Sequence, residues 1–275
     1  MSIMCRLLVA FTSTLLVLTI IESVGAGTYH PYHIDEYMTV PNNETGIKVA
    51  QWTEEMNMNP EELGNYFEGD IMISNSTTRN GDTKAKRWPN RQIPYVITGR
   101  FTQKQRNLIQ DAMKQYHSKT CMRFKKRTNQ KDYLDIRSDN TGCWSWIGRR
   151  GGKQQVNLQA PGCVNAIGTP VHELLHAIGF WHEHTREDRD GYVNINWNNI
   201  PKNQQHNFMK ANKGQTTSYG VRYDYGSVMH YSAYAFAKNP KVKTIITKKP
   251  KNAKIGQRRG LSNSDITKIK RMYKC

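Results

Sequence analysis

No stretch of this 275-residue chain is apolar for long enough to cross a bilayer. The longest run, Leu7 to Ile21, falls short of the ~20 residues a spanning helix needs. Arg6 precedes that run and Val24-Gly25-Ala26 follows it, so residues 1–26 read as a secretion signal that is cut away. Cysteine is scarce too: there are five, and no two stand as Cys-x-x-Cys, which argues against a thiolate zinc site. Cys5 lies in the signal. The remaining Cys121, Cys143, Cys163 and Cys275 allow three disulfide pairings and suit an oxidising, extracellular route. No internal repeat and no nucleic-acid recognition module occurs, so a nucleic-acid partner is not expected.

Acidic residues are few, 22 against 40 Lys and Arg, and they are unevenly spread. Residues 27–79 hold nine acidic and two basic residues, whereas residues 80–275 hold 12 acidic and 37 basic. An acidic pro-segment would be drawn to a basic domain, which suits an intramolecular inhibitor. The basic domain, once free, would favour anionic surfaces such as sulfated matrix polysaccharides. The expected division is therefore signal 1–26, pro-segment 27–79 and one sizeable domain over 80–275. Asparagine sequons stand at Asn43 and Asn75.

The densest information lies in His172-Glu173-Leu174-Leu175-His176-Ala177-Ile178-Gly179-Phe180-Trp181-His182. Two histidines four apart share one face of a helix, one turn of ~5.4 Å between them, and can address one cation. Glu173 beside the first can reach a water on that cation as a general base. Gly179 can end the helix in a left-handed conformation, letting the chain turn so that His182 approaches from a third side. Three imidazoles with an open fourth position describe a catalytic zinc site, one Zn(2+) per domain, and a metalloprotease. The spacing predicts a helix from Pro170 to Ile178, with Thr169 as its N-cap.

Elsewhere the pattern predicts strands at Gln92–Ile97, Cys121–Lys125, Tyr133–Arg137, Trp144–Ile147 and Gln155–Leu158. Thr102 with Gln105 forms a capping box before an apolar stripe of Leu108, Ile109, Ala112, Met113 and Tyr116. Gly151-Gly152 marks a turn ahead of an edge strand on which an extended substrate could pair. Gly191 to Lys254 reads as mainly irregular, with a short helix near Lys202–Lys210. Ser262 caps a final helix carrying Ile266, Ile269 and Tyr273. The remaining histidines, including His184 and His230, read as structural or surface residues, and Trp144 with Trp146 as core and cleft wall.

Past His182, the run Glu183-His184-Thr185-Arg186-Glu187-Asp188-Arg189-Asp190 resembles the signature of the astacin family, as does Ser227-Val228-Met229-His230-Tyr231 for its Met-turn. Phe67-Glu68-Gly69-Asp70 is similar to the Phe-x-Gly-Asp element of astacin pro-segments. The resemblance implies a secreted zinc endopeptidase of proteins and peptides, with an α+β, two-lobed metzincin fold. Its N-terminal lobe would hold a mixed, mostly parallel five-stranded sheet and the active-site helix, its C-terminal lobe mainly irregular chain and a final helix. It implies His172, His176, His182 and Tyr231 as zinc ligands, Glu173 and Tyr231 as catalytic residues, and Met229 beneath the metal. It also implies Asp70 as the ligand that keeps a zymogen latent, Glu183 as the partner of the freed N-terminus, and the pairs Cys121–Cys275 and Cys143–Cys163. Arg258 lies in a segment similar to one near the family's specificity pocket, favouring acidic residues after the scissile bond. An activating protease would cut after Arg79, in preference to Arg87, and the enzyme would be a monomer with no membrane partner. A catalytically weak binding protein of matrix or venom type on the same fold is the alternative.

Overall fold

Polar residues set where the helices begin. Thr102 Oγ1 accepts from the Gln105 amide at 3.3 Å while the Gln105 side chain accepts from the Thr102 amide at 2.9 Å, so two orphan donors are satisfied at once. Helix α2 then runs Gln103–Lys119 and buries Ile109, Ala112, Met113 and Tyr116. Ser262 and Asp265 repeat the device at the last helix, α4 (Asn263–Tyr273). A third cap, Asn42 Oδ1 on the Thr45 amide, starts α1 (Asn43–Ala50) in the acidic N-terminal segment. The computed structural model describes residues 40–73, 86–211, 214 and 216–275.

One six-stranded sheet carries the N-terminal lobe. It comprises β1 (Ile71–Met72), β2 (Gln92–Ile97), β3 (Arg123–Lys126), β4 (Tyr133–Arg137), β5 (Cys143–Trp146) and β6 (Lys153–Leu158) in the order β1-β5-β6-β4-β2-β3. Only β5 and β6 pair antiparallel; every other neighbouring pair is parallel. The family resemblance implied five strands. The sixth, β1, comes from the acidic segment and adds to the β5 edge, with Ile71 opposite Ser145 and Met72 opposite Trp146. Gly151-Gly152 does form a turn, but the strand after it, β6, lies between β5 and β4. The strand nearest this side of the sheet is the one before the turn, β5, and β1 covers its outer edge.

Helix α3 (Gly168–Ile178) packs between β5 and α2 and is buried along its whole length. It starts earlier than the sequence predicts, with Ile167 at the N-cap. The Gly168 amide donates to the Arg258 carbonyl at 2.8 Å, and the Thr169 hydroxyl is turned to Glu61 at 3.3 Å rather than back onto the helix. Pro170 therefore stands at the third helical position, where its missing N–H still costs no helical bond. At the other end Gly179 adopts φ 119°, as its position foretold. Tyr116 ties α2 to α3 by donating to the Val171 carbonyl at 2.6 Å.

The C-terminal lobe is mostly turns. It is not wholly irregular: β7 (Val193–Ile195) and β8 (Ile245–Thr247) pair antiparallel. Their separation in sequence leaves no local hairpin signal to read. Val193, Ile200, Phe208, Tyr223, Tyr231, Ala235 and Ile245 form its own small core. Disulfides join Cys121 to Cys275 and Cys143 to Cys163. The first closes a span of 154 residues and anchors α4 to the start of β3. Among the described residues no helix is long and apolar enough to cross a membrane.

Candidate metal centre

Helix α3 presents His172 and His176 on one face, as the four-residue spacing requires, and the turn after Gly179 returns His182 to the same point. The His172 Nε2 atom lies 3.1 Å from that of His176 and 3.2 Å from that of His182. Ligands ~2.0–2.1 Å from a tetrahedral zinc stand ~3.3 Å from one another, so the three nitrogens are spaced for one such ion. Asp70 completes the group. Its Oδ2 is 2.9 Å from His172 Nε2, and its Oδ1 is 3.4 Å from His176 and 3.3 Å from His182. The four ligand atoms all lie within 4.8 Å of one another, and all four residues are buried.

The outer faces of the rings are held. His172 Nδ1 is 2.8 Å from the Val228 carbonyl, His176 Nδ1 2.7 Å from that of Phe180, and His182 Nδ1 2.7 Å from Glu68 Oε2. Each contact fixes the ring and leaves Nε2 free to ligate. At this site Asp70 Oδ1 and both oxygens of Glu173 are buried without a hydrogen-bond partner. Stranded buried carboxylate oxygens are expensive. Here they point to the place where a cation and its water would satisfy them. The donor set therefore fits zinc.

The protein groups also shape each other's ionisation. Burial alone would raise the Asp70 pKa, but the charges of His182 and His176, with the His172 hydrogen bond, hold it well below the ordinary carboxylate range. Burial first, then the Asp70 and Glu61 carboxylates, push Glu173 well above its usual value. Glu183 is raised by burial, opposed by Lys268 and Arg186.

Tyr231 lies beside the cluster, its ring 4.9 Å from that of His182, and its hydroxyl donates to the Glu68 carbonyl at 2.6 Å. His184, expected to be merely structural, stacks on Tyr231 with ring centroids 3.7 Å apart. Met229 is buried, and its carbonyl accepts from the Glu183 amide at 3.0 Å. The Arg258 side chain is buried, and its Nε contacts Glu61 Oε1. Asn43 is exposed at the start of α1, and Arg87 is exposed. Asn75, Arg79 and the signal lie outside the described residues.

Sequence reasoning missed most of what the acidic segment does. Four of its carboxylates are buried: Glu61, Glu62, Glu68 and Asp70. Glu62 accepts from the Ser232 amide and hydroxyl, each at 2.6 Å. The charge imbalance between the two halves of the chain was the available signal, but it names no pairs. Gly69, at φ 81°, lets the backbone pass Tyr231 and Phe236 closely enough to deliver Asp70.

The family model described as Astacin, a peptidase family, matches residues 80–274. The chain is 38% identical over 256 residues to zinc metalloproteinase nas-4 of Caenorhabditis elegans, covering 89% of this chain and 78% of that protein. It is 40% identical to the low choriolytic enzyme of Oryzias latipes, covering 79% and 81%. Against zinc metalloproteinase nas-8 of Steinernema carpocapsae, 42% identical and 76% of this chain, it spans about half the relative, 52%. Among solved structures it is similar to high choriolytic enzyme 1, a hatching enzyme zinc-protease of medaka. That match has a TM-score of 0.65 and 40% identity, covering 74% of this chain and 98% of the other. Myroilysin, at 18% identity and TM-score 0.52, shares the fold.

Proposed function

The chain belongs to the astacin family and is a zinc metalloendopeptidase, and from that premise we propose that it is made as a secreted zymogen whose acidic segment, residues 27–79, blocks its own active site. The observation that carries this is Asp70, whose carboxylate meets all three histidine Nε2 atoms at 2.9–3.4 Å. An oxygen at that point takes the position a catalytic water needs. Cleavage after Arg79 would release the segment, and the enzyme would then act on extracellular proteins and peptides. Residues 80–275 form the catalytic domain in this reading.

His172, His176 and His182 would hold the metal. Zinc, when bound, acidifies a water toward a pKa of ~7 and polarises a peptide carbonyl. Glu173 takes the proton from the attacking water and passes it to the leaving amine. Tyr231 would be freed from the Glu68 carbonyl once the segment departs; its hydroxyl would then help hold the metal at rest and donate a hydrogen bond to the developing oxyanion during the reaction. Met229, buried and hydrogen-bonded through its carbonyl to the Glu183 amide, would underlie the histidines in this reading.

Arg258 selects acidic side chains after the scissile bond. Its contact with Glu61 supports this, since a glutamate of the chain's own segment fills the place a substrate carboxylate would take. Asn43 is a glycosylation site, its exposure at the head of α1 leaving room for a glycan. The excess of basic residues over 80–275 draws the freed enzyme to sulfated polysaccharides of the matrix.

The test is a casein assay on the uncut and cut chain, with zinc measured on the same samples. Only the cut form should digest casein, phenanthroline should abolish digestion, and added zinc should restore it. Equal digestion by the uncut chain would sink the zymogen reading.

A further inference from the structure

The basic charge of the catalytic domain is not evenly laid. Residues 191–275 hold 17 Lys and Arg against two acidic residues, Asp224 and Asp265, whereas residues 80–190 hold 20 against ten. Both of the late acidic residues are already engaged. Asp265 is buried and accepts from the Ser227 hydroxyl at 2.6 Å and the Val228 amide at 3.0 Å. Asp224 accepts from the Ser262 hydroxyl at 2.6 Å and the Gly226 amide at 2.8 Å. A surface of one sign keeps a positive potential, where mixed signs cancel within ~8 Å at physiological salt.

The excess is densest over residues 238–254, which hold seven lysines and no acidic residue. Lys238, Lys241, Lys249, Lys251 and Lys254 are exposed. Among the described residues no carboxylate pairs with any of the seven, and the buried carboxylates of the acidic segment go instead to Arg258, Ser232 and the histidines. The backbone that carries these lysines is pinned. Buried Asn199 donates to the Asn239 carbonyl at 3.2 Å and the Val242 carbonyl at 2.7 Å, and its Oδ1 accepts from the Asn239 amide at 3.0 Å. Asn196 donates to the Lys243 carbonyl at 3.2 Å, and past β8 the backbones of Lys248 and Lys251 pair across a turn. A fixed frame lowers the ordering cost of gripping a partner's anions. Lysines that served solubility alone would gain nothing from it.

Trp197 decides the class of partner. It is 37% exposed and precedes Asn198, whose carbonyl accepts from the Lys238 ammonium at 3.1 Å. An exposed indole offers a sugar ring a flat apolar face, while compact, mobile ammonium groups meet its sulfates. A lipid surface would call for an amphipathic helix with a broad apolar face. Here the other exposed large apolar residues, Val242 and Ile246, stand on a tight turn and on a strand paired to β7.

We propose that residues 238–254 and Trp197 form a docking surface for sulfated polysaccharide, used by the uncut chain and the processed enzyme alike. The proposal rests on the reading that the basic excess draws the enzyme to the matrix. It adds where the polymer lies, and that removal of the acidic segment leaves this surface as it was.

Two variants of equal net charge test it, each measured uncut and cut for heparin binding over a range of salt. One combines Lys241→Gln, Lys249→Gln, Lys251→Gln and Lys254→Gln; the other combines Lys104→Gln, Lys119→Gln, Lys125→Gln and Lys126→Gln on α2 and β3. At physiological salt the first should bind at least about tenfold more weakly, with the slope of log K against log salt flatter by about 2 or more, and the second should stay within about threefold of the parent. Trp197→Ala should weaken binding by about threefold or more without changing that slope, because stacking releases no counterions. Cut forms of all three should turn over a short neutral peptide at the parental kcat/KM. Equal losses in the two lysine variants would overturn the docking surface and leave attraction by net charge standing. A parent that heparin does not retain would defeat the attraction itself. A loss confined to the cut form would overturn the shared use by the precursor. Capture by phosphatidylserine vesicles that heparin does not displace would overturn the choice of polysaccharide.

Discussion

Glu68 Oε2 stands 2.7 Å from His182 Nδ1, while Asp70, two residues on, faces the Nε2 of the same ring at 3.3 Å. The acidic segment therefore grips one histidine from both edges. Asp70→Ala should release the block, raising casein digestion by the uncut chain at least tenfold. Losing a hydrogen bond to a charged group is worth about 1.5–3 kcal/mol, or ~10–150-fold in the open population. Glu68→Ala should give a smaller rise, because its contact is to the back of the ring. Uncut variants whose activity stays at the parental background would count against Asp70 as the blocking group.

Glu173→Gln in the cut enzyme should keep stoichiometric zinc and lose about 10²–10⁴ in kcat. The amide preserves the shape of the side chain but cannot accept the water's proton. Zinc content by mass spectrometry and casein turnover check the two halves of the statement. Turnover at the parental rate would remove Glu173 from its role.

Arg258→Ala should lower kcat/KM by about 30-fold or more for peptides with Asp or Glu just after the scissile bond, with neutral peptides changing by less than about threefold. Truncating one partner of a buried charge pair typically costs 2–5 kcal/mol, and only acidic substrates form the pair. A peptide library with one varied position gives the comparison directly. A uniform loss across all side chains would mean that Arg258 supports the fold rather than the choice of substrate.

Reduction or double substitution of Cys121 and Cys275 to Ser should lower the melting temperature and loosen zinc together. A loop of this span is worth about 5 kcal/mol on the chain-entropy account. It also holds α4, whose Asp265 and Lys268 brace the residues around His172 and His182. Replacing Cys143 and Cys163, which close only 20 residues, should cost about 3 kcal/mol and spare zinc binding. Calorimetry with competitive zinc titration separates the two cases.

Local rules made the metal site legible. His172 and His176 meet because four residues make about one helical turn, and Gly179 ends the helix because its φ is positive. The capping pairs Thr102–Gln105 and Ser262–Asp265 work over three residues and were equally plain. What stayed hidden spans long distances. Glu61 and Arg258 are 197 residues apart, Glu183 and Lys268 85, and no periodicity links them. The early start of α3 was hidden for the same reason, since the Arg258 carbonyl that receives the Gly168 amide comes from the far end of the chain.

Strand β1 carries a consequence beyond catalysis. Two residues, Ile71 and Met72, cover the backbone donors and acceptors of β5 that would otherwise face outward. A bare sheet edge invites any extended chain, including another copy of the same protein. If the acidic segment is removed on activation, as proposed, the uncut chain is the form suited to accumulate at high concentration. The trimmed enzyme, its flank uncovered, is better kept dilute or supplied with peptide to occupy it.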